Sequence, residues 1–421
     1  MSGRSLFHHR DFRQLWFGDA ISQFGSEVGR LAMPMIAVVA LAATPFQVGL
    51  VTTAETIGFL LVGLPAGVWV DRVRRRPLML RADLGRAVLL LSVPLAWWAG
   101  LLTLVHLLVV GLLVSVLTVF FDIAYQSYVP SLVGREQIVA GNAKLEATRS
   151  TAVVTGPAIG GGLVQVIGAA STVLATALGY LASALFLRRI RTEEAAPPGR
   201  EEHGPLRREI TTGLRFVVGH PLLRPLAAYT ATTNLFSGIG EAVVVLFLVR
   251  ELGLTPGVAG AVLTASGIGG VLGALTSSWW AGRLGQARVM WLIMLVTQPL
   301  TLLLPLTQPG WRLGLFLVGY LAVGYGIVVY NVAALSFRQS ICPDHLLGRM
   351  NSAMRFLVWG TLPLGGLLGG ALAEWLGVRG ALWVAGVGQA AALLWLLFSP
   401  LRRMRDLPEG DGQPAPATAA S

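Results

Sequence analysis

Twelve long apolar stretches dominate this chain and leave few folds open to it: 15–41, 47–70, 78–99, 103–125, 150–168, 171–188, 226–249, 257–281, 289–306, 312–334, 352–374 and 380–398. About 20 predominantly apolar residues are enough for a helix to cross the hydrocarbon core of a bilayer. Within lipid the backbone must satisfy its own polar groups, which a helix does inside one segment. The stretches therefore predict an all-α membrane protein with twelve transmembrane helices. Composition excludes a soluble fold, because 13% of the 421 residues are charged, about half the share usual in soluble domains. The 51 glycines fit helices that approach closely in lipid.

The arginines set the orientation. With both termini placed in the cytoplasm, 28 Lys and Arg fall in cytoplasmic segments, three (Arg250, Arg312, Arg379) in external loops, and one (Arg30) within a span. Such a bias is what the positive-inside rule describes. It reads the net charge of +11 as a membrane-facing collar and excludes a nucleic-acid footprint. Met1 to Arg13 is polar and basic, and the first apolar block is too long for a cleavable signal core. The single cysteine, Cys342, falls in an expected cytoplasmic loop, so no disulfide is expected. Arg is used almost to the exclusion of Lys, with Lys144 alone. That usage points to a high-GC bacterium and hence to its plasma membrane.

Two halves repeat. A shift of 211 carries Arg13 to Arg224, Pro45 to Pro256, Gly49 to Gly260 and Arg72 to Arg283, and a shift of 209 carries Asn142 to Asn351 and Gly160-Gly161 to Gly369-Gly370. The chain divides into a six-helix bundle over 1–190, a linker over 191–221, a second bundle over 222–400 and a disordered tail over 401–421. The linker begins with Glu193-Glu194 and Pro197-Pro198-Gly199 and continues as an amphipathic basic segment, expected along the inner membrane surface. A 6+6 repeat with its site at the interface near the midplane is a transporter construction.

Several segments carry a family resemblance. The run Gly67-Val68-Trp69-Val70-Asp71-Arg72-Val73-Arg74-Arg75-Arg76 resembles the loop signature of the major facilitator superfamily, with Arg74 at its later glycine. The second copy, Ser278 to Arg288, keeps Arg283 but has Gly282 at the aspartate position. Phe12-Arg13-Gln14-Leu15-Trp16, Val129-Pro130-Ser131-Leu132-Val133, Asn142-Ala143, Gly156-Pro157-Ala158-Ile159-Gly160-Gly161, and Gly213-Leu214-Arg215-Phe216 followed by His220-Pro221 resemble the bacterial branch of macrolide-efflux and siderophore-export proteins. The resemblance implies two pseudo-symmetric bundles around a cavity. It also implies a cytoplasmic gate at Gly67, Asp71, Arg72, Arg75 and Arg76, with Arg149 a further candidate partner of Asp71. Gly156, Pro157, Gly160 and Gly161 resemble the antiporter signature of the fifth span, with Ala152 at its first glycine. The arginine-containing motif of the fourth span has no counterpart, since no Arg occurs from Leu101 to Leu132.

Ionisable residues inside spans are costly and mark candidate sites. Glu27 and Arg30 lie three apart on one face of the first span, near mid-bilayer at about 1.5 Å per residue. Glu241 is the pseudo-symmetric partner of Arg30, and Glu55 lies on the second span. Burial favours protonation of a carboxylate and a nearby Arg opposes it, so this set is the expected substrate and proton cavity; a static ion pair fixing helix packing is the alternative. Asp19, Asp83 and Asp122 lie nearer the inner span ends and read as gate or interface charges. Metalloprotease, nucleophile-elbow and P-loop patterns are absent, so neither an enzyme nor direct ATP drive is expected. No cofactor or metal is expected either. The expected activity is proton-driven efflux of lipophilic or amphipathic small molecules by a monomer. An importer of a metabolite or lysolipid, and a non-transporting sensor or scaffold, are the alternatives.

Overall fold

The computed structural model describes residues 9–133, 137–192, 194, 206–342 and 347–406. The expected tail beyond 406 and most of the acidic, proline-containing linker lie outside the described residues. Fifteen α-helices follow one another, with no strand among the described residues: α1 Arg10–Met35, α2 Pro45–Thr56, α3 Gly58–Asp71, α4 Arg75–Trp98, α5 Leu104–Val133, α6 Ile138–Ile167, α7 Ala169–Arg189, α8 Leu206–Gly219, α9 Leu223–Leu246, α10 Pro256–Leu284, α11 Gln286–Thr297, α12 Leu313–Ile341, α13 Leu347–Trp359, α14 Thr361–Ala392 and α15 Leu394–Leu397. Nine stretches among the described residues are long and apolar enough to cross a membrane. One of them, Ala353–Leu397, has 45 residues and turns back at Gly377, whose φ of 77° takes it out of the helix. At about 1.5 Å per residue it is roughly twice the bilayer core in length, enough for two passes. Helices α1 and α4 fall outside the nine because Asp19, Glu27 and Arg30, and Arg81, Asp83 and Arg86, lower their hydropathy. Both nevertheless pack among the apolar helices, α1 against α6 and α7, and α4 against α5 and α7.

The repeat is structural as well as sequential. The π-helical segments Ile36–Ala40 and Phe247–Glu251 end the first helix of each half, 211 residues apart. Pro45 and Pro256 each open the next helix behind a capping threonine, Thr44 or Thr255, where proline's missing N–H is harmless. From Leu104 and Leu313 onward the offset is 209, and the paired turns at Gly168 (φ 82°) and Gly377 (φ 77°) keep it. The two-residue change thus falls between the third and fourth helices of each half.

The halves meet through α6 against α10 and α14 against α2. These are two copies of one contact. Cα of Gly260 lies 2.9 Å from where a Cβ on Gly161 would sit, and Cα of Gly49 lies 3.0 Å from that of Gly370. Outward of the glycines, Gln165 Oε1 accepts from the Gly257 N–H at the start of α10 (3.0 Å), and Glu374 Oε2 accepts from the Phe46 N–H at the start of α2 (3.2 Å). Gln165 and Glu374 are related by the repeat, and so are Gly257 and Phe46. Arg250 adds a clasp to the carbonyls of Val38 and Ala43, each at 2.8 Å. All of these lie at the arginine-poor end. Near the opposite end, α3 touches α13 and α8, Phe59 packs on Trp359, and Arg355 donates to Gln126.

Helix α8 packs on α13 and α9, and Val217 is buried with Cys342, Met350 and Met354. Cys342 is accordingly buried at the end of α12.

Candidate functional site

Between the halves lies a cavity of about 490 Å³, and Glu27, Arg30, Glu55 and Glu241 all line it. Glu27 and Arg30 project from α1, Glu55 from the end of α2, and Glu241 from α9. Arg30 donates through Nη2 (2.5 Å) and Nε (3.1 Å) to Oε2 of Glu27. Its side chain is 60% accessible because it borders the cavity. Glu55 and Glu241 form no hydrogen bond or ion pair among the described residues, yet both stand in the field of Arg30 and of each other. Tyr320 on α12 faces the same charges. The set therefore holds three carboxylates against one guanidinium, two negative charges in excess when all are ionised.

Local sequence explains the placement. Glu55 sits in the last turn before the chain breaks step at Ile57, and the N–H of Gly58 is satisfied by Ser115 Oγ at 3.2 Å. Interrupted helices of this kind tend to mark the binding region of transporters. Gly156 presents no side chain to Glu27, whose Cβ and Cγ fill the space a Cβ would need. Gly160 admits the backbone of Val28, Gly161 meets Gly260, and Pro157 lines the cavity. The antiporter-like residues thus seat α1, and with it Glu27, against α6.

The expected gate residues lie at the end of α3 and the start of α4, with Arg149 on α6. The side chain of Asp71 lies outside the described residues, and Gly67 faces open space. Arg72 is exposed. The backbone N–H groups of Arg75 and Arg76 donate to the carboxylate of Glu194 at 2.7 and 3.1 Å, and the Arg76 guanidinium reaches the carbonyls of Leu187 and Arg188. A carboxylate at the start of α4 complements the positive end of that helix. Arg149 pairs with Glu146 on its own helix at 3.8 Å, both exposed. Asp11 accepts from Arg191 N and from Thr192 N and Oγ1. Burial pushes its carboxyl up, but these bonds outweigh it and hold it below the ordinary value. The first linker residues are thereby tied to the first bundle.

One charged group escaped the sequence reading. Arg86, counted among the cytoplasmic arginines, is buried inside the first half. It pairs with Asp83, lies 4.3 and 4.1 Å from the ring centres of Phe121 and Tyr180, and donates to Thr118 Oγ1 at 3.3 Å. A guanidinium between two rings is held by their negative faces. Tyr180 bonds Ser26 at 3.0 Å, and Tyr180, Ser26 and Thr118 border the cavity. The signal was present: Asp83 and Arg86 repeat the i, i+3 spacing of Glu27 and Arg30 inside an apolar span.

No group of His, Cys, Asp or Glu among the described residues could hold a metal ion. Two repeated helix bundles around a charged central cavity define a membrane transporter. The comparisons place it further: residues 1–418 match the family described as transmembrane secretion effector, and the chain belongs to that family of major facilitator transporters. It is 28% identical over 368 residues to the multidrug efflux pump Tap of Mycolicibacterium fortuitum, covering 85% of this chain and 88% of that one. It is 27% identical over 419 residues to the enterobactin exporter EntS of Shigella boydii, covering 95% and 94%. Among solved structures, a bacterial homologue of the iron transporter ferroportin in its inward-facing state shares the fold with a TM-score of 0.74 at 17% identity, covering 94% of this chain and 99% of that one. The protein is thus a transporter of small molecules, multi-pass in the bacterial inner membrane, and not an enzyme.

Proposed function

We propose that this transporter exports lipophilic or amphipathic organic cations by alternating access and exchanges them for protons at Glu27, Glu55 and Glu241. The observation that carries the reading is the charge count of the cavity. Three carboxylates face one guanidinium, and the excess must be balanced by protons or by a cationic guest, because uncompensated charge in a low-dielectric site is costly. Each guest displaces the other, which is the coupling an antiporter needs. Apolar lining residues such as Leu31, Met33, Val244 and Leu263 complete a site for amphipathic molecules. The names of the relatives, a multidrug pump and a siderophore exporter, favour export. In this reading twelve helices cross the membrane, the termini are cytoplasmic, the chain works as a monomer, and the arginine-poor end is outside. The glycine contacts, the Gln165 and Glu374 bonds and the Arg250 clasp then close the external face.

Accumulation of a panel of fluorescent lipophilic cations, in cells with and without the protein, tests direction and energy source. Expressing cells are expected to hold less dye, and a protonophore to erase the difference. Greater accumulation in expressing cells, or a difference that survives the protonophore, refutes proton-driven export.

A further inference from the structure

Next to the charged cavity, wholly within the second half, lies a smaller pocket of about 70 Å³. It shares Thr301, Val323, Ile327 and Gln389 with the cavity, and no charged residue among those described lines it. Its polar residues are hydroxyls and amides. The repeat shows what they replace. At the matching positions of the first half stand Asp19 for Thr230, Asp83 for Met294, Arg86 for Thr297, Asp122 for Asn331 and Tyr180 for Gln389. The second half therefore carries a neutral version of the first half's buried charge cluster, and it leaves there a space that the Asp83–Arg86 pair and its flanking rings fill in the first.

The backbone is also modified at this point. Helix α11 stops at Thr297 and the chain continues as a 3₁₀ segment, Gln298–Leu303, containing Pro299. The corresponding stretch of α4 runs unbroken to Trp98. Twelve residues at about 1.5 Å each place the break some 18 Å along the helix, near mid-bilayer. Irregular backbone at that depth is tolerated where it lines a cavity. The first residue of the break is Gln298. It is 5% exposed, and its Nε2 donates to Thr233 Oγ1 at 3.3 Å. Gln298 lines the pocket, and its Oε1 is buried without a hydrogen-bond partner among the described residues. The neighbouring Thr230 and Tyr330 hydroxyls bond each other at 2.9 Å, and the Asn234 amide is fixed on the Val358 carbonyl at 2.8 Å. What the pocket offers a guest is an unused acceptor in a neutral, walled space.

We infer that this pocket is a second substrate compartment, which takes the uncharged hydrogen-bond-donating end of the molecule, a hydroxyl or amide, onto Gln298 Oε1. The inference rests on the proposed cationic cavity and narrows its substrate class. Preferred molecules are organic cations with a hydroxyl- or amide-bearing arm, the cationic centre among Glu27, Glu55 and Glu241 and the arm directed toward Gln298. A buried acceptor left unpaired discriminates strongly against analogues that lack the donor.

The test uses purified full-length protein and aryl quaternary ammonium ions with alkyl arms two to six carbons long, each with and without a terminal hydroxyl. Wild type is expected to bind the best hydroxylated member roughly tenfold more tightly than its plain analogue. Gln298→Leu is expected to remove that preference and leave affinity for the plain cation unchanged, which also shows that the variant is folded. Gln298→Met, closer in length, repeats the test if the leucine variant fails to fold. Glu241→Gln is expected to weaken both cations together. Binding of both ions without preference by wild type, or a preference that persists in both Gln298 variants, overturns the compartment alone. Failure of wild type to bind any of the ions overturns the cationic-cavity reading as well.

Discussion

A methyl group at Gly156 would collide with the Cβ of Glu27, an atom that cannot move unless the α1 backbone moves with it. Arg30, held to Glu27 by two hydrogen bonds, would be displaced too. Gly156→Ala is therefore expected to lower the melting temperature, since overpacking costs roughly 1–3 kcal/mol, and to reduce transport at least tenfold through misplacement of the charge set. Gly162, six residues on and with nothing within 4 Å of its would-be Cβ, provides the control: Gly162→Ala leaves both quantities unchanged. Normal transport by Gly156→Ala contradicts the role given to Glu27. The charge set was legible as residues, because ionisable groups inside apolar runs stand out. Its energetics were not. A buried pair would make loss of Glu27 cost about 3–5 kcal/mol, but Arg30 borders an open cavity, a fact of tertiary packing that spacing along one helix does not contain. Arg86 shows the converse. The positive-inside count assigned it to the cytoplasmic collar, and only the rings of Phe121 and Tyr180, on two other helices, reveal its burial.

Among elements, the second and fifth helices of each half meet those of the other at the arginine-poor end, which the proposed orientation places outside. Gln165 and Glu374 each cap the helix that starts in the opposite half, at positions related by the repeat. Removing an N-terminal cap costs about 0.5–2 kcal/mol, enough to shift a two-state equilibrium severalfold. Gln165→Leu with Glu374→Leu is expected to speed labelling from outside of a cysteine introduced at Thr52, which lines the cavity, in a background where Cys342 is replaced by serine. Glu374→Gln, which copies the residue of the other half, is expected to label like wild type. Equal labelling of the double leucine variant and wild type removes the latch. The repeat offset that pairs Pro45 with Pro256 made these elements readable in advance. The breaks at Ile57 and Gln298 were not read, although Gly58 and Pro299 stand beside them; the neighbouring helices, with Ser115 and Thr233, show where the backbone departs from regular helix. The gate at Asp71 was read from resemblance. Two of its arginines, Arg75 and Arg76, also tie the start of α4 to Glu194 and to carbonyls at the end of α7, contacts between distant segments that the local motif does not encode.

For the whole molecule, length and hydropathy were sufficient to state an all-helical membrane protein, since lipid leaves the backbone little alternative. The repeat then located the cavity at the interface between halves. Composition says nothing about which molecule fills that cavity, and the charge balance of its walls is the strongest physical statement available. In the proposed mechanism Glu27, Glu55 and Glu241 exchange protons for an organic cation. The most direct measurement is uptake of tetraphenylphosphonium into proteoliposomes holding the protein, driven only by an imposed pH gradient that is acidic inside, with membrane potential clamped. Wild type is expected to concentrate the cation until the gradient decays. Protein with all three glutamates replaced by glutamine is expected to give none of this uptake while keeping the wild-type melting temperature within a few degrees. Gradient-driven accumulation by the triple variant at the wild-type rate would contradict the account.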